Sequence, residues 1–263
     1  MKKLGHFLLP YVFGLVILAA WEGGVRMGDI PEYILPGPVA VLIALRTNFG
    51  ELLVGLGVTL QVTVIALLLA AITGAGFAFL MAQSKLAERM LFPYAVILQV
   101  TPIVTVAPFI IIWVSNIFGV LLILAWMAAV FPIISNTLFG LKSVDINLRD
   151  MFRLYGATKT QTAMRLLIPS TLPHFLSGLR IAGGLSLIGA VVAEMVAGTS
   201  GEKSGLASRL LEASYRLELA KALACFALLG LTGLLIFTAL DWLSRRLLRH
   251  WHESATDASQ GGN

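Results

Sequence analysis

Charge is scarce in this 263-residue chain: Asp, Glu, Lys and Arg together make 13% of it, against 58% hydrophobic residues. A soluble domain carries about 25% charged residues, so there is too little polar surface here to coat one, and a mean hydropathy of +0.88 agrees. Cysteine is nearly absent. Cys225 stands alone, which excludes an intrachain disulfide and leaves it as a small apolar core residue. Histidine is also sparse: His6, His174, His250 and His252 lie in or beside polar flanks, and His250 with His252 reads as the solvated end of the last helix rather than as a metal site. No catalytic residues, metal ligands or cofactor motif stand out. There is no P-loop, so the chain cannot bind ATP in the usual way. The net charge of +5 and pI near 9.6 do not indicate nucleic acid, because the basic residues flank apolar runs instead of clustering on one soluble face.

Long apolar runs are what the sequence does contain. A bilayer core takes about 20 apolar residues per helical span. Runs of this kind cover Phe7 to Val25, Val58 to Ala82, Tyr94 to Val114, Ile117 to Phe139, Phe175 to Ala197 and Ala220 to Leu243. They are continuous and do not alternate apolar with polar residues, which favours helices over barrel strands. The expected fold is therefore an all-α integral membrane protein of about six transmembrane helices. One membrane domain spans residues 1–252, followed by a disordered Ser- and Gly-rich tail at 253–263. The first run resembles a signal peptide in following Lys2 and Lys3, but it continues past Ala20 into Trp21 without an A-x-A-like cleavage site.

With the N-terminus inside, about two thirds of the Lys and Arg residues fall on inside segments, and the positive-inside rule then places both termini in the cytoplasm. The inside set includes Lys85, Arg89, Lys142, Arg149, Arg153, Lys159, Arg165 and Arg180, whereas Arg26, Arg46, Lys203, Arg209, Arg216 and Lys221 fall outside.

Pro102 and Pro108 interrupt the third run, with Gln99, Thr101 and Thr105 close by. Each proline removes a backbone donor, so a kink or break is expected, either as a packing bend or as a segment lining a translocation path. In the fifth run Ala182, Ser186 and Ala190 recur at four-residue spacing among Gly183, Gly184 and Gly189. Small residues let helices approach closely, within one subunit or between two. Glu194, near the outer end of this run, needs a partner if ionised in the membrane and is a candidate for structural pairing or for substrate contact. The candidate path thus comprises Gln99, Thr101, Thr105, Ser186 and Glu194.

The longest polar stretch between runs, Gly140 to about His174, falls inside and has a helical pattern. Met151, Phe152, Leu154 and Tyr155 are spaced for one short amphipathic helix, and Met164, Leu167 and Ile168 for a second. Gly156 supplies a permissive backbone between them. Thr158 with Gln161 forms a capping box that starts the second helix, and Pro169 and Pro173 are expected to bend the chain toward the fifth span. Such a pair cannot bury its apolar face alone. It either rests on lipid headgroups or meets a partner.

Asp150-Met151-Phe152, Gly156, Leu166, Ile168 and Pro169 resemble the "EAA" loop of bacterial binding-protein-dependent ABC importer permeases, with Asp150 in place of the Glu and Met151-Phe152 in place of the paired alanines. The resemblance extends through Leu35-Pro36-Gly37-Pro38, Pro102, Ala107-Pro108, Phe131-Pro132, Gly178-Leu179-Arg180 and Ala193-Glu194. These landmarks are similar to the branch for nitrate, sulfonates, taurine and aminopyrimidine precursors. The resemblance implies the type I ABC importer permease architecture in a bacterial inner membrane. It also implies a second permease copy, most simply as a homodimer, with two ATP-binding cassette subunits that use ATP and Mg, and an extracytoplasmic substrate-binding protein. Asp150, Met151, Phe152, Tyr155, Gly156, Thr158, Gln161 and Pro169 would then form the ATPase-coupling loop. The rival reading is a stand-alone secondary carrier or channel with its site at the broken third run and Glu194. The absence of an inverted repeat argues against it. No Lys or Arg in the candidate path favours an anion, so a sulfonate and an aminopyrimidine-like solute both remain open.

Overall fold

The computed structural model describes residues 2–198 and 204–248, with backbone alone for residues 2–8, 10 and 11. The 253–263 tail, expected to be disordered, lies outside the described residues, as do His250 and His252. Among the described residues all regular structure is helical: α1 (Lys2–Met27), α2 (Pro38–Thr47), α3 (Phe49–Ala82), α4 (Lys85–Val100), α5 (Ile103–Trp113), α6 (Ile117–Lys142), α7 (Ile146–Leu154), α8 (Lys159–Thr162), α9 (Ile168–Ala197), α10 (Leu206–Tyr215) and α11 (Leu219–Leu248).

Helices α3, α6 and α11, together with the continuous stretch Lys159–Ala197, are long and apolar enough to cross a bilayer; the bent pair α4–α5 makes a fifth if taken as one span. The first apolar run lies in α1, whose 26 residues extend about 39 Å at 1.5 Å per residue.

The third run is not one straight helix. It breaks by 100° between α4 and α5, at Thr101 and Pro102, both of which have extended backbone. Pro102 has no N–H to continue the ladder and pushes the residue before it out of helical geometry. The Thr101 hydroxyl donates to the Ile97 carbonyl at 2.6 Å, beside the Thr101 N–H that donates to the same oxygen at 3.0 Å. Pro108, expected to share in the interruption, instead lies inside α5.

The chain divides into two compact units, one of Met1–Val58 with Gly198–Leu231 and one of Thr59–Ala197 with Thr232–Asn263. In the first, the N-cap of α2 is Gly37, which has no side chain to offer, and Glu22 of α1 does the capping: its carboxylate accepts from the Val39 N–H at 3.2 Å and from Arg26 at 2.6 Å. Glu51 of α3 accepts from Arg209 of α10 at 2.6 Å and from Lys221 of α11 at 2.9 Å, joining three helices. Gly55 lies beside this cluster, and a Cβ there would come within 2.8 Å of the Arg209 side chain.

The second unit is organised around α6, whose buried face runs from Val120 to Leu141. Its main partner is α9. Backbone proximity explains the small residues in the fifth span: a Cβ at Gly178 would lie 2.8 Å from the Pro132 carbonyl oxygen, and one at Gly189 would lie 2.9 Å from the Ala125 Cα. Across the unit, Ala70, Ala78 and Met81 of α3 join Ile133, Ile134 and Leu138 of α6 in one apolar cluster, while Trp126 Nε1 donates to the Thr73 hydroxyl at 2.9 Å.

Candidate functional site

Helix α7 is short, and its ends are set by local chemistry. The Asp145 carboxylate accepts from the Asn147 N–H at 2.8 Å to start it. At the other end Gly156 takes φ +70°, the Gly156 N–H donates to Arg153 O at 3.1 Å, and the Ala157 N–H donates to Phe152 O at 3.0 Å. This pair of bonds is the Schellman turn, and it places a left-handed residue where glycine carries no Cβ penalty. Two residues on, the Thr158 hydroxyl accepts from the Gln161 N–H at 3.2 Å while the Gln161 amide oxygen accepts from the Thr158 N–H at 2.8 Å. Both halves of the capping box are therefore present.

The second short helix expected beyond Thr158 is not a separate element. After α8 the chain passes through a π-helical segment, Ala163–Leu167, directly into α9, giving one 39-residue helix, Lys159–Ala197. Pro169 and Pro173 do not break it. In an ordinary α-helix the Pro169 ring would clash with the carbonyl four residues back. Here the Ile168 N–H reaches back five residues to Ala163 O, and this wider turn precedes the proline. The second half of the loop and the fifth span are thus one continuous helix.

The knob formed by α7 and the Gly156 turn is apolar and exposed. Leu154 is 87% and Tyr155 85% exposed, with Ile146, Leu148 and Met151 also open, Phe152 half-buried, and Asp150 at the surface. Behind it, Arg149 turns inward and its Nη2 donates to the Leu141 carbonyl near the end of α6.

The candidate path residues are placed differently from one another. Gln99 and Thr105 are exposed on the two arms of the bent pair, Thr101 is half-buried at the corner, and Ser186 and Glu194 are completely buried on α9. The Ser186 hydroxyl donates to Gly183 O at 2.9 Å within its own helix. Ala182 and Ala190 are buried, Gly189 faces α6, and a Cβ at Gly183 would strike Leu240 of α11. Close packing inside the subunit therefore accounts for most of this small-residue stripe. Gly184 is the exception, with open space around it.

Sequence reasoning missed two features. One is α10, with Leu206, Ala207, Arg209 and Ala213 buried, whose i, i+3, i+7 spacing was a readable helical signal. The other is the Glu51–Arg209–Lys221 cluster. Among the described residues no group of three or more His, Cys, Asp or Glu is arranged to hold a metal.

The family profile described as "binding-protein-dependent transport system inner membrane component" matches residues 66–252. The chain is 33% identical over 249 residues to the formylaminopyrimidine transport permease protein of Halalkalibacterium halodurans, an alignment covering 94% of this chain and 98% of that one. It is 28% identical over 259 residues to the putative aliphatic sulfonates transport permease protein of Bacillus subtilis, covering 96% and 92%. A crystal structure described as an amino acid ABC transporter with histidines superposes with a TM-score of 0.64 over 78% of this chain and 97% of that one, at 17% identity, a likeness of fold. The reading as a stand-alone carrier or channel gives way to these matches. A multi-pass helical chain with an exposed apolar knob between its fourth and fifth apolar segments, matched by one profile over most of its length, belongs to the family of inner membrane components of binding-protein-dependent transport systems: it is an ABC importer permease.

Proposed function

We propose that two copies of this chain form the translocation path of a bacterial inner-membrane importer, with both termini and the α7–α8 knob on the cytoplasmic side. Each knob docks in a groove of a separate ATP-binding subunit, which uses ATP and Mg, while an extracytoplasmic binding protein delivers the solute. The observation that carries this reading is the exposed apolar face of Leu154, Tyr155 and Met151, held at a fixed angle by the Gly156 turn and the Thr158–Gln161 box. A contiguous exposed apolar face of this kind marks a surface that meets protein or membrane. Asp150 adds a carboxylate at the rim.

The cargo class is drawn from the relatives: a small polar solute such as a sulfonate or an aminopyrimidine-like compound, selected chiefly by the binding protein. Gln99, Thr101, Thr105, Ser186 and Glu194 are the polar groups of the α4–α5 bend and of α9 offered as contacts along the path.

The test is Gly156→Leu in the reconstituted importer. A Cβ at Gly156 meets no atom within 4 Å, but at φ +70° any side chain strains the turn by about 1 to 2 kcal/mol. That cost is local to the knob and leaves the apolar spans able to insert, while the new bulk stands on the docking face. ATP hydrolysis stimulated by the substrate-loaded binding protein is expected to disappear; stimulation at the wild-type level rejects the docking role.

A further inference from the structure

The joint between α6 and α7 is three residues long, and every residue of it is tied down. The Ser143 N–H donates to Phe139 O at 2.9 Å and the Ser143 hydroxyl to Gly140 O at 3.0 Å; Val144 is buried; Asp145 caps α7. The last four carbonyls of a helix lack intrahelical donors. Of those at the end of α6, Phe139 and Gly140 are served by Ser143, and Leu141 is served by the Arg149 guanidinium, a positive group at the negative end of the helix dipole.

This end of α6 is also where the unit's other helices meet. Lys142 pairs with Glu88 of α4 at 2.5 Å. Gly140 packs against Thr171 and His174 of α9, and the Phe139 and His174 rings meet edge-on at 5.1 Å. A displacement of α7 therefore reaches α4, α6 and α9 together, provided that α7 cannot swing about its short linker. Arg149 bridges the two helices across that linker, closing a ring from residue 149 back to residue 141.

We infer that Arg149 is a positioning residue for transport: it fixes α7 to the carbonyl end of α6, so that movement of the docked ATPase is passed to the spans instead of being absorbed in the linker. This rests on the docking reading above and adds to it a specific link between knob and path.

The test compares Arg149→Met with Arg149→Lys in the full importer. Both keep the aliphatic stem, and only Lys keeps a charged donor. Co-purification with the ATPase, the ATP hydrolysis rate, and solute imported per ATP hydrolysed are measured for each. Arg149→Met is expected to bind the ATPase and hydrolyse ATP while importing about tenfold less per ATP, the scale of one lost charge-assisted hydrogen bond; Arg149→Lys is expected to retain most of the wild-type ratio. Equal ratios in the two variants overturn the inference, and so does loss of ATPase binding in Arg149→Met, which would put Arg149 in the docking surface itself. Wild-type protein that binds no ATPase would instead remove the docking reading, and this inference with it.

A second measurement does not depend on either variant folding. Spin labels at Ile117→Cys on α6 and Asn147→Cys on α7, both exposed and neither part of the apolar docking face, are placed in a Cys225→Ala background. The inference expects one unchanged distance distribution in the nucleotide-free and ATP-bound importer. A distribution that shifts or broadens on ATP binding contradicts it.

Discussion

Glycine serves opposite purposes in two parts of this permease. Along α9, Gly178 and Gly189 are there for space: a Cβ at either would press on the backbone of α6 at 2.8 to 2.9 Å. At the tip of the knob, Gly156 is there for its dihedral angle: φ is +70°, and a Cβ would meet nothing. The first use holds the subunit together. The second shapes only the exposed knob. Stability and coupling should therefore be separable by mutation.

The largest effect is expected at the close contact. Gly189→Leu forces a side chain against Ala125 and Ala128, where overpacking costs about 1 to 3 kcal/mol or more, and should abolish recovery of monodisperse protein in detergent. Gly184→Leu, five residues away on the same helix with open space around it, should behave as wild type in the same size-exclusion assay. If both variants fail alike, space is not what Gly189 supplies.

A smaller loss is expected at Arg209, whose side chain is 9% exposed while Glu51 opposite is 40% exposed. Removing one member of such a partly buried pair costs about 1 to 3 kcal/mol once solvent screening of Glu51 is allowed for. Arg209→Met should therefore lower the thermal midpoint, with Lys221 retaining part of the hold on Glu51. An unchanged midpoint would show that the cluster adds nothing to stability.

The smallest effect belongs to the knob. Thr158→Ala removes half of the capping box and costs about 1 kcal/mol locally, so the global midpoint should barely move while hydrogen exchange quickens at Gln161. Thr158→Ser should restore slow exchange. A large fall in the midpoint would break the separation between knob and core.

The same division explains what was legible in the sequence. The Gly156 turn, the Thr158–Gln161 box and the break at Pro102 are each written in a few consecutive residues, so they could be read directly. The apolar runs announced their helices for the same reason. Partners separated by 158 and 170 positions, as Arg209 and Lys221 are from Glu51, leave no periodic signal. Pro169 and Pro173 misled for a physical reason: a proline ordinarily stops a helix, and only the π-helical turn just before Pro169 lets α8 run on into α9. The inward turn of Arg149 was equally unreadable, since on charge alone it looks like any other inside basic residue.

The proposed coupling depends on the face carrying Tyr155 lying against the ATPase. A photo-crosslinking amino acid placed at Tyr155, 85% exposed on the free subunit, tests this directly in intact membranes. An adduct with the ATP-binding subunit is the result expected. Crosslinking to lipid alone, or labelling of that position only from outside the cell, would contradict it.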